Sequence, residues 1–210
     1  MEKSITIQIK AKYHTKGELS EKTEQIWFAL HGYGQLAAFF IQKFDFLDHE
    51  KNYTIAPQGL NKFYLKEFSG RVGANWMTKE DRLNEIANYL NYLNVVYQNE
   101  LQGIDLQKVK INVLAFSQGC ATASRWIAYS HLKFDNFVVW AGEIPQDVIE
   151  NPIFKTLPLK MVWGRQDELI KPELVAPMLQ KIANLGLHPQ FIYFEGGHEL
   201  NEQTLKEMKF

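Results

Sequence analysis

The pentapeptide Ala115-Phe116-Ser117-Gln118-Gly119 holds the side chain best placed to do covalent chemistry. It follows the apolar run Val109-Lys110-Ile111-Asn112-Val113-Leu114. It precedes Cys120-Ala121-Thr122-Ala123-Ser124-Arg125-Trp126-Ile127-Ala128, a stretch rich in small residues that reads as a helix. A serine at the apex of a strand–turn–helix unit has its hydroxyl pushed out above the sheet by a strained backbone. Gly119 lets the two backbones approach because it lacks a Cβ, and Ala115 stands where such turns usually carry glycine. The pattern makes Ser117 a candidate nucleophile. The plain alternative is an ordinary strand–helix turn with a buried serine.

A serine hydroxyl needs a base to take its proton, and the base needs a partner to orient it. His14, His31, His49, His131, His188 and His198 are the available imidazoles. His198, in Glu195-Gly196-Gly197-His198, stands just past an apolar strand pattern at 189–194. Asp167, in Trp163-Gly164-Arg165-Gln166-Asp167, follows another strand pattern at 159–163, where its carboxylate can accept the Nδ1 proton of His198. Glu143, in Ala141-Gly142-Glu143-Ile144-Pro145, is the second candidate acid. Each of these residues lies at the carboxyl end of its strand, where parallel sheets gather their reactive groups. The chain order Ser117, Asp167, His198 is that of nucleophile, acid and base in α/β-hydrolase folds.

Acyl transfer also needs donors for the negative oxygen of a tetrahedral intermediate. Leu30-His31-Gly32-Tyr33-Gly34 follows a buried strand and offers free amides. The main-chain N–H groups of Tyr33 and Gln118 are the expected pair, with His31 serving the loop structurally. The loop lacks the Gly-Lys-Ser/Thr ending of a phosphate-binding loop. His198-Glu199-Leu200-Asn201-Glu202 has glutamate where a zinc-binding HExxH needs its second histidine, so no metal is expected. Cys120 is expected to be a small packing residue.

These residues need a scaffold. Ile5, Ile7, Ile9 and Ala11 alternate as in a strand near a sheet edge, Gln25-Ile26-Trp27-Phe28-Ala29-Leu30 reads as a strand buried on both faces, and 35–47 reads as helical. Tyr53-Thr54-Ile55-Ala56 is a short strand. Residues 60–77 are aromatic-rich without a clear period and read as a long, ordered excursion. Thr78 with Asp81 suggests a capping box for a helix whose stripe is Leu83, Ile86, Ala87, Leu90, Leu93 and Tyr97. Strands at 109–115, 136–141, 159–163 and 189–194 then alternate with helices near 118–131, 172–185 and 199–208. This alternation predicts an α/β fold with a mainly parallel central sheet and helices on both faces.

The 210 residues carry 46% hydrophobic and 22% charged side chains with a net charge of −1, which gives no global field for nucleic acid or anionic lipid. No repeat or linker divides the sequence, so one domain over 1–210 is expected. No apolar run is long enough for stable membrane insertion. One cysteine and a polar-interrupted N-terminus point to a cytoplasmic protein.

Leu30-His31-Gly32-Tyr33-Gly34, Ala56-Pro57, Trp76 ahead of a long helix, Phe116-Ser117-Gln118-Gly119, Ala141-Gly142-Glu143-Ile144-Pro145, Gly164-Arg165-Gln166-Asp167 and Gly196-Gly197-His198 together resemble the small, cap-less carboxylesterases, which include the acyl-protein thioesterases and lysophospholipase-like esterases. The resemblance covers nearly the full chain. It implies an α/β-hydrolase fold with no large cap domain and a cofactor-free serine esterase or thioesterase acting on a small-molecule acyl ester. It implies a Ser117–Asp167–His198 triad with Tyr33 and Gln118 as oxyanion donors. The chain departs from the pattern at Gln35 (usually acidic), Cys120 (usually glycine) and Glu143 (usually apolar or aromatic). Phe39, Phe68, Trp76 and Glu143 are the expected substrate contacts, with Phe40, Phe63 and Tyr64 as further aromatic candidates and Arg71 and Asn75 as polar ones. Two other readings use the same residues: a non-catalytic binding or regulatory protein on the hydrolase scaffold, and the same triad acting on a peptide or lactone bond. The sequence leaves oligomeric state open.

Overall fold

Alternation along the buried strands builds two cores, one on each face of a central sheet. In Gln25–Leu30 the side chains of Ile26, Phe28 and Leu30 join one apolar cluster, while Trp27 and Ala29 join the other. A computed structural model describes residues 1, 3–170 and 172–208. In chain order the described elements are β1 (Tyr13–Lys16), β2 (Gln25–Leu30), α1 (Ala37–Phe40), β3 (Asn52–Pro57), β4 (Asn61–Lys66), β5 (Ser69–Asn75), α2 (Arg82–Glu100), β6 (Lys110–Phe116), α3 (Gln118–Ser130), β7 (Asn136–Trp140), α4 (Ile153–Thr156), β8 (Leu159–Gly164), α5 (Pro172–Asn184), β9 (Gln190–Phe194) and α6 (Glu202–Glu207).

Seven strands form one sheet in the order β1-β3-β2-β6-β7-β8-β9. β1 runs antiparallel to β3, and the remaining pairs are parallel. Ile86 and Leu93 of α2, Ala123 and Ile127 of α3, Phe154 of α4 and Ile182 of α5 cover one face. Ala37 and Phe40 of α1, with Leu205 of α6, cover the other. The described residues form no large cap over this sheet. β4 and β5 make a separate antiparallel hairpin.

Four expectations need correction. Residues 5–11 form no strand, and Ile5, Ile7 and Ile9 are exposed; their alternation finds no pairing partner among the described residues, and the edge strand begins at Tyr13. The 35–47 helix is cut to α1 plus a 3-10 turn, Ile41–Phe44. The 60–77 excursion is the β4–β5 hairpin. Thr78 does not cap α2, which starts at Arg82 after Asp81 in a left-handed conformation (φ 49°). Glu85 instead reaches back to accept the Thr78 amide at 2.5 Å. The α2 stripe is correspondingly shifted: Ile86, Tyr89, Tyr92, Leu93, Val96 and Tyr97 are buried, whereas Leu83 and Ala87 face solvent.

Candidate active site

Ser117 sits between β6 and α3 with φ 53° and ψ −120°. A non-glycine residue in such a conformation costs on the order of 1–3 kcal/mol, and the surroundings must enforce it. They do so with backbone bonds: the Ser117 amide donates to Trp140 O at 2.9 Å, and its carbonyl accepts from Cys120 N at 2.9 Å. Gly119 is required by close approach, because a Cβ there would lie 2.6 Å from Leu30 O and 2.7 Å from His31 O. Cys120 is fully buried with its thiol directed at Ala115 O (3.1 Å). Burial pushes that thiol well above its ordinary range, so it packs as the small residue the sequence suggests.

The turn aims the serine at an imidazole. His198 Nε2 lies 2.9 Å from Ser117 Oγ, and its Nδ1 lies 2.9 Å from Asp167 Oδ2. The Asp167 side chain is wholly buried, and its Oδ1 accepts the amides of Leu169 (2.8 Å) and Ile170 (3.0 Å). The loops that carry Asp167 and His198 are also joined directly. Arg165 N donates to Phe194 O and Gln166 N to Gly196 O, both at 2.9 Å. Side chains separated by 81 and 31 positions thus meet in one hydrogen-bonded line. Glu143, the second candidate acid, is exposed and takes no part in it.

The loop after β2 abuts the serine: a Cβ on Gly32 would fall 3.2 Å from Ser117 Cβ. Its amides are mostly committed. Gly32 N donates to Gln35 Oε1 (2.8 Å), Gly34 N to Ala74 O (2.8 Å) and Gln35 N to Gly32 O (3.3 Å). The amides of Tyr33 and Gln118 have no hydrogen-bond partner among the described residues. Gln35 therefore supports the loop from the position where the resembling family carries an acid; a carboxylate there can accept the same bond.

His31 is buried beneath this loop. Its Nε2 accepts the Gly59 amide at 2.9 Å, which leaves the Nδ1 proton for Gly32 O at 2.8 Å. Burial pulls its pKa down to about 4, partly offset by that carbonyl, and keeps the ring neutral.

The expected substrate contacts separate. Phe39 is exposed and Phe68 is almost fully so, at the hairpin tip. Glu143 is exposed beside Gly142, where an added Cβ would meet Ser117 O at 2.8 Å. Trp76 is 1% exposed, donates its indole N–H to His31 O at 2.8 Å and lies against the His31 ring. Its surface is occupied by protein, so it supports the loop and lines no open groove. Phe40 is likewise buried, Phe63 packs on Tyr33 with ring centroids 5.0 Å apart, and Tyr64 is exposed. Arg71 is exposed, and Asn75 is buried with its Oδ1 accepting from Asn61.

Among the described residues, no group of three or more His, Cys, Asp or Glu side chains is arranged to hold a metal ion. No described helix is long and apolar enough to cross a membrane.

Parallel sheet, two-faced helix cover and a serine on a strained strand–helix turn define a cap-less α/β hydrolase. The model of the serine hydrolase (FSH1) family matches residues 21–209, and the chain belongs to that family. No curated protein matches the sequence. Solved structures with the same fold include esterase PE8 (18% identity, TM-score 0.70, covering 94% of this chain and 95% of that one). Acyl-protein thioesterase 2 from Zea mays is similar at 16% identity and TM-score 0.66, covering 94% and 96%. A phospholipase/carboxylesterase from Dyadobacter fermentans is similar at 17% identity and TM-score 0.65, covering 96% and 95%.

Proposed function

We propose that this serine hydrolase cleaves carboxylic esters or thioesters of small to medium acyl groups through an acyl-enzyme. The observation that carries the reading is the continuous Ser117–His198–Asp167 line, with both links at 2.9 Å. Ser117 Oγ attacks the acyl carbonyl as His198 Nε2 takes its proton. Asp167 holds the imidazole in the tautomer that leaves Nε2 free to accept, and it stabilises the imidazolium. The Tyr33 and Gln118 amides receive the developing oxyanion, each contributing about 3–4 kcal/mol to transition-state stabilisation. The same proton then passes to the leaving alcohol or thiol. Water, activated by His198, releases the acid and restores the serine.

The esterase and thioesterase names of the similar structures support the acyl substrate class. Phe39 and Phe68 are assigned to the acyl side of the site because both present exposed aromatic surface. Glu143 disfavours a long apolar chain at the serine. A lone free cysteine supports placing the protein in the cytoplasm.

A fluorophosphonate probe tests the assignment together with a series of p-nitrophenyl esters of increasing chain length. Wild-type protein is expected to take one label and to favour short and medium chains. Ser117→Ala is expected to take none and to lose turnover. Turnover that survives in Ser117→Ala refutes the assignment.

A further inference from the structure

The β4–β5 hairpin grips the Tyr33 loop from several sides. Gly34 N donates to Ala74 O at 2.8 Å, and Ala74 N donates to Gln35 O at 3.1 Å. Gly73 lies so close that a Cβ on it would meet Gly34 O at 2.4 Å, and Phe63 packs on the Tyr33 ring. Two residues further on, the same chain is tied to the nucleophile turn. The Gln118 side chain accepts the Trp76 amide with Oε1 (3.0 Å) and donates from Nε2 to Met77 O (2.8 Å). Residues 74–77 therefore form a short strap with the Tyr33 loop at one end and Gln118 at the other. The Trp76 indole, bonded to His31 O, pins the strap's middle to the residue that begins the loop. Glu85 braces the far side, where Oε1 accepts from Asn61 Nδ2 (2.6 Å) and Oε2 from the Thr78 amide (2.5 Å).

Resting on the assignment of the Tyr33 and Gln118 amides made above, we propose that the Gln118 carboxamide is a positioning residue: through strap 74–77 it fixes the spacing between those two amides. The two donors come from loops after different strands, β2 and β6. A carboxamide is suited to the link because it satisfies one carbonyl and one amide at once, as the Trp76 amide and Met77 carbonyl of the strap require. Donors held before the reaction need no reorganisation when charge develops on the oxygen, so looser spacing weakens binding of the transition state more than that of the substrate.

Gln118→Met tests this, because it keeps side-chain length and the main-chain N–H while removing both strap bonds. With p-nitrophenyl acetate, kcat is expected to fall about 10- to 100-fold with KM changed by less than about two-fold. Affinity for a phenylboronic acid, which forms a tetrahedral adduct on the serine, is expected to weaken in parallel, with near-UV circular dichroism unchanged. Glu85→Ala, which touches neither the serine nor the two amides, is expected to give a smaller loss of the same kind and decides the matter if Gln118→Met does not fold. Unchanged kcat and boronate affinity in the folded variant overturn the positioning role, as does a kcat loss equal to the loss of folded protein. Ser117→Ala is measured alongside. If it is inactive while Gln118→Met is unimpaired, the strap proposal alone fails; if it remains active, the triad assignment fails and the strap proposal falls with it.

Discussion

Asp167 presents one carboxylate oxygen to His198 and keeps the other for the chain that follows it: Oδ2 lies 2.9 Å from Nδ1, while Oδ1 accepts the amides of Leu169 and Ile170. The carboxylate cannot rotate without abandoning two amide donors. In Asp167→Asn these amides hold the carbonyl oxygen in place and turn the NH2 group toward His198. The imidazole must then accept at Nδ1 and carry its proton on Nε2, the tautomer that cannot take the serine proton. We expect kcat on a p-nitrophenyl ester to fall by about 10⁴-fold with the fold retained. Steady-state kinetics with circular dichroism check this, and a loss below about ten-fold contradicts the assigned role.

His31 links stability to acid. The unfolded chain binds this proton near pH 6.5, whereas burial holds the folded imidazole at about 4. The unfolded state therefore carries more protons between these values, and stability decreases as pH falls through that window. The contribution is complete above about 6.5 and amounts to about 3 kcal/mol. Urea denaturation at pH 7 and pH 4.5 is expected to show a loss of that order. His31→Gln, which can still accept from the Gly59 amide, is expected to flatten the slope. An equal slope in the variant assigns the acid sensitivity elsewhere.

Cys120 lies just after the Ser117 turn yet is closed to reagents. Its burial and raised pKa deny it both access and thiolate character. Iodoacetamide at pH 8 is expected to modify the native protein at least about 100-fold more slowly than the protein in guanidinium. Comparable rates by intact mass would show an accessible thiol.

The second half of the fold was legible because its signals are local and repeated. Strands β6 to β9 are apolar runs divided by helices, and Ser117, Asp167 and His198 each follow their own strand. The hairpin was not legible. Most of β4 is exposed and the outer half of β5 is too, so no buried apolar run marks either strand. At the N-terminus the opposite occurs: Ile5, Ile7 and Ile9 alternate as in a strand, but alternation records suitability for pairing and not the presence of a partner. Trp76 showed its aromatic character in the sequence and hid its burial. The side-chain work of Gln35 and Gln118 depends on bonds to residues brought close only by folding, which no spacing along the chain announces.

The most direct test of the Ser117 assignment is pre-steady-state turnover of p-nitrophenyl acetate, followed by acid quench and mass spectrometry. The account predicts a burst of p-nitrophenolate and, in matching amount, an acetyl group trapped on the peptide containing Ser117 at early times; Ser117→Ala should give neither. Steady turnover of equal rate in wild type and Ser117→Ala, with no acetylated serine, would contradict it.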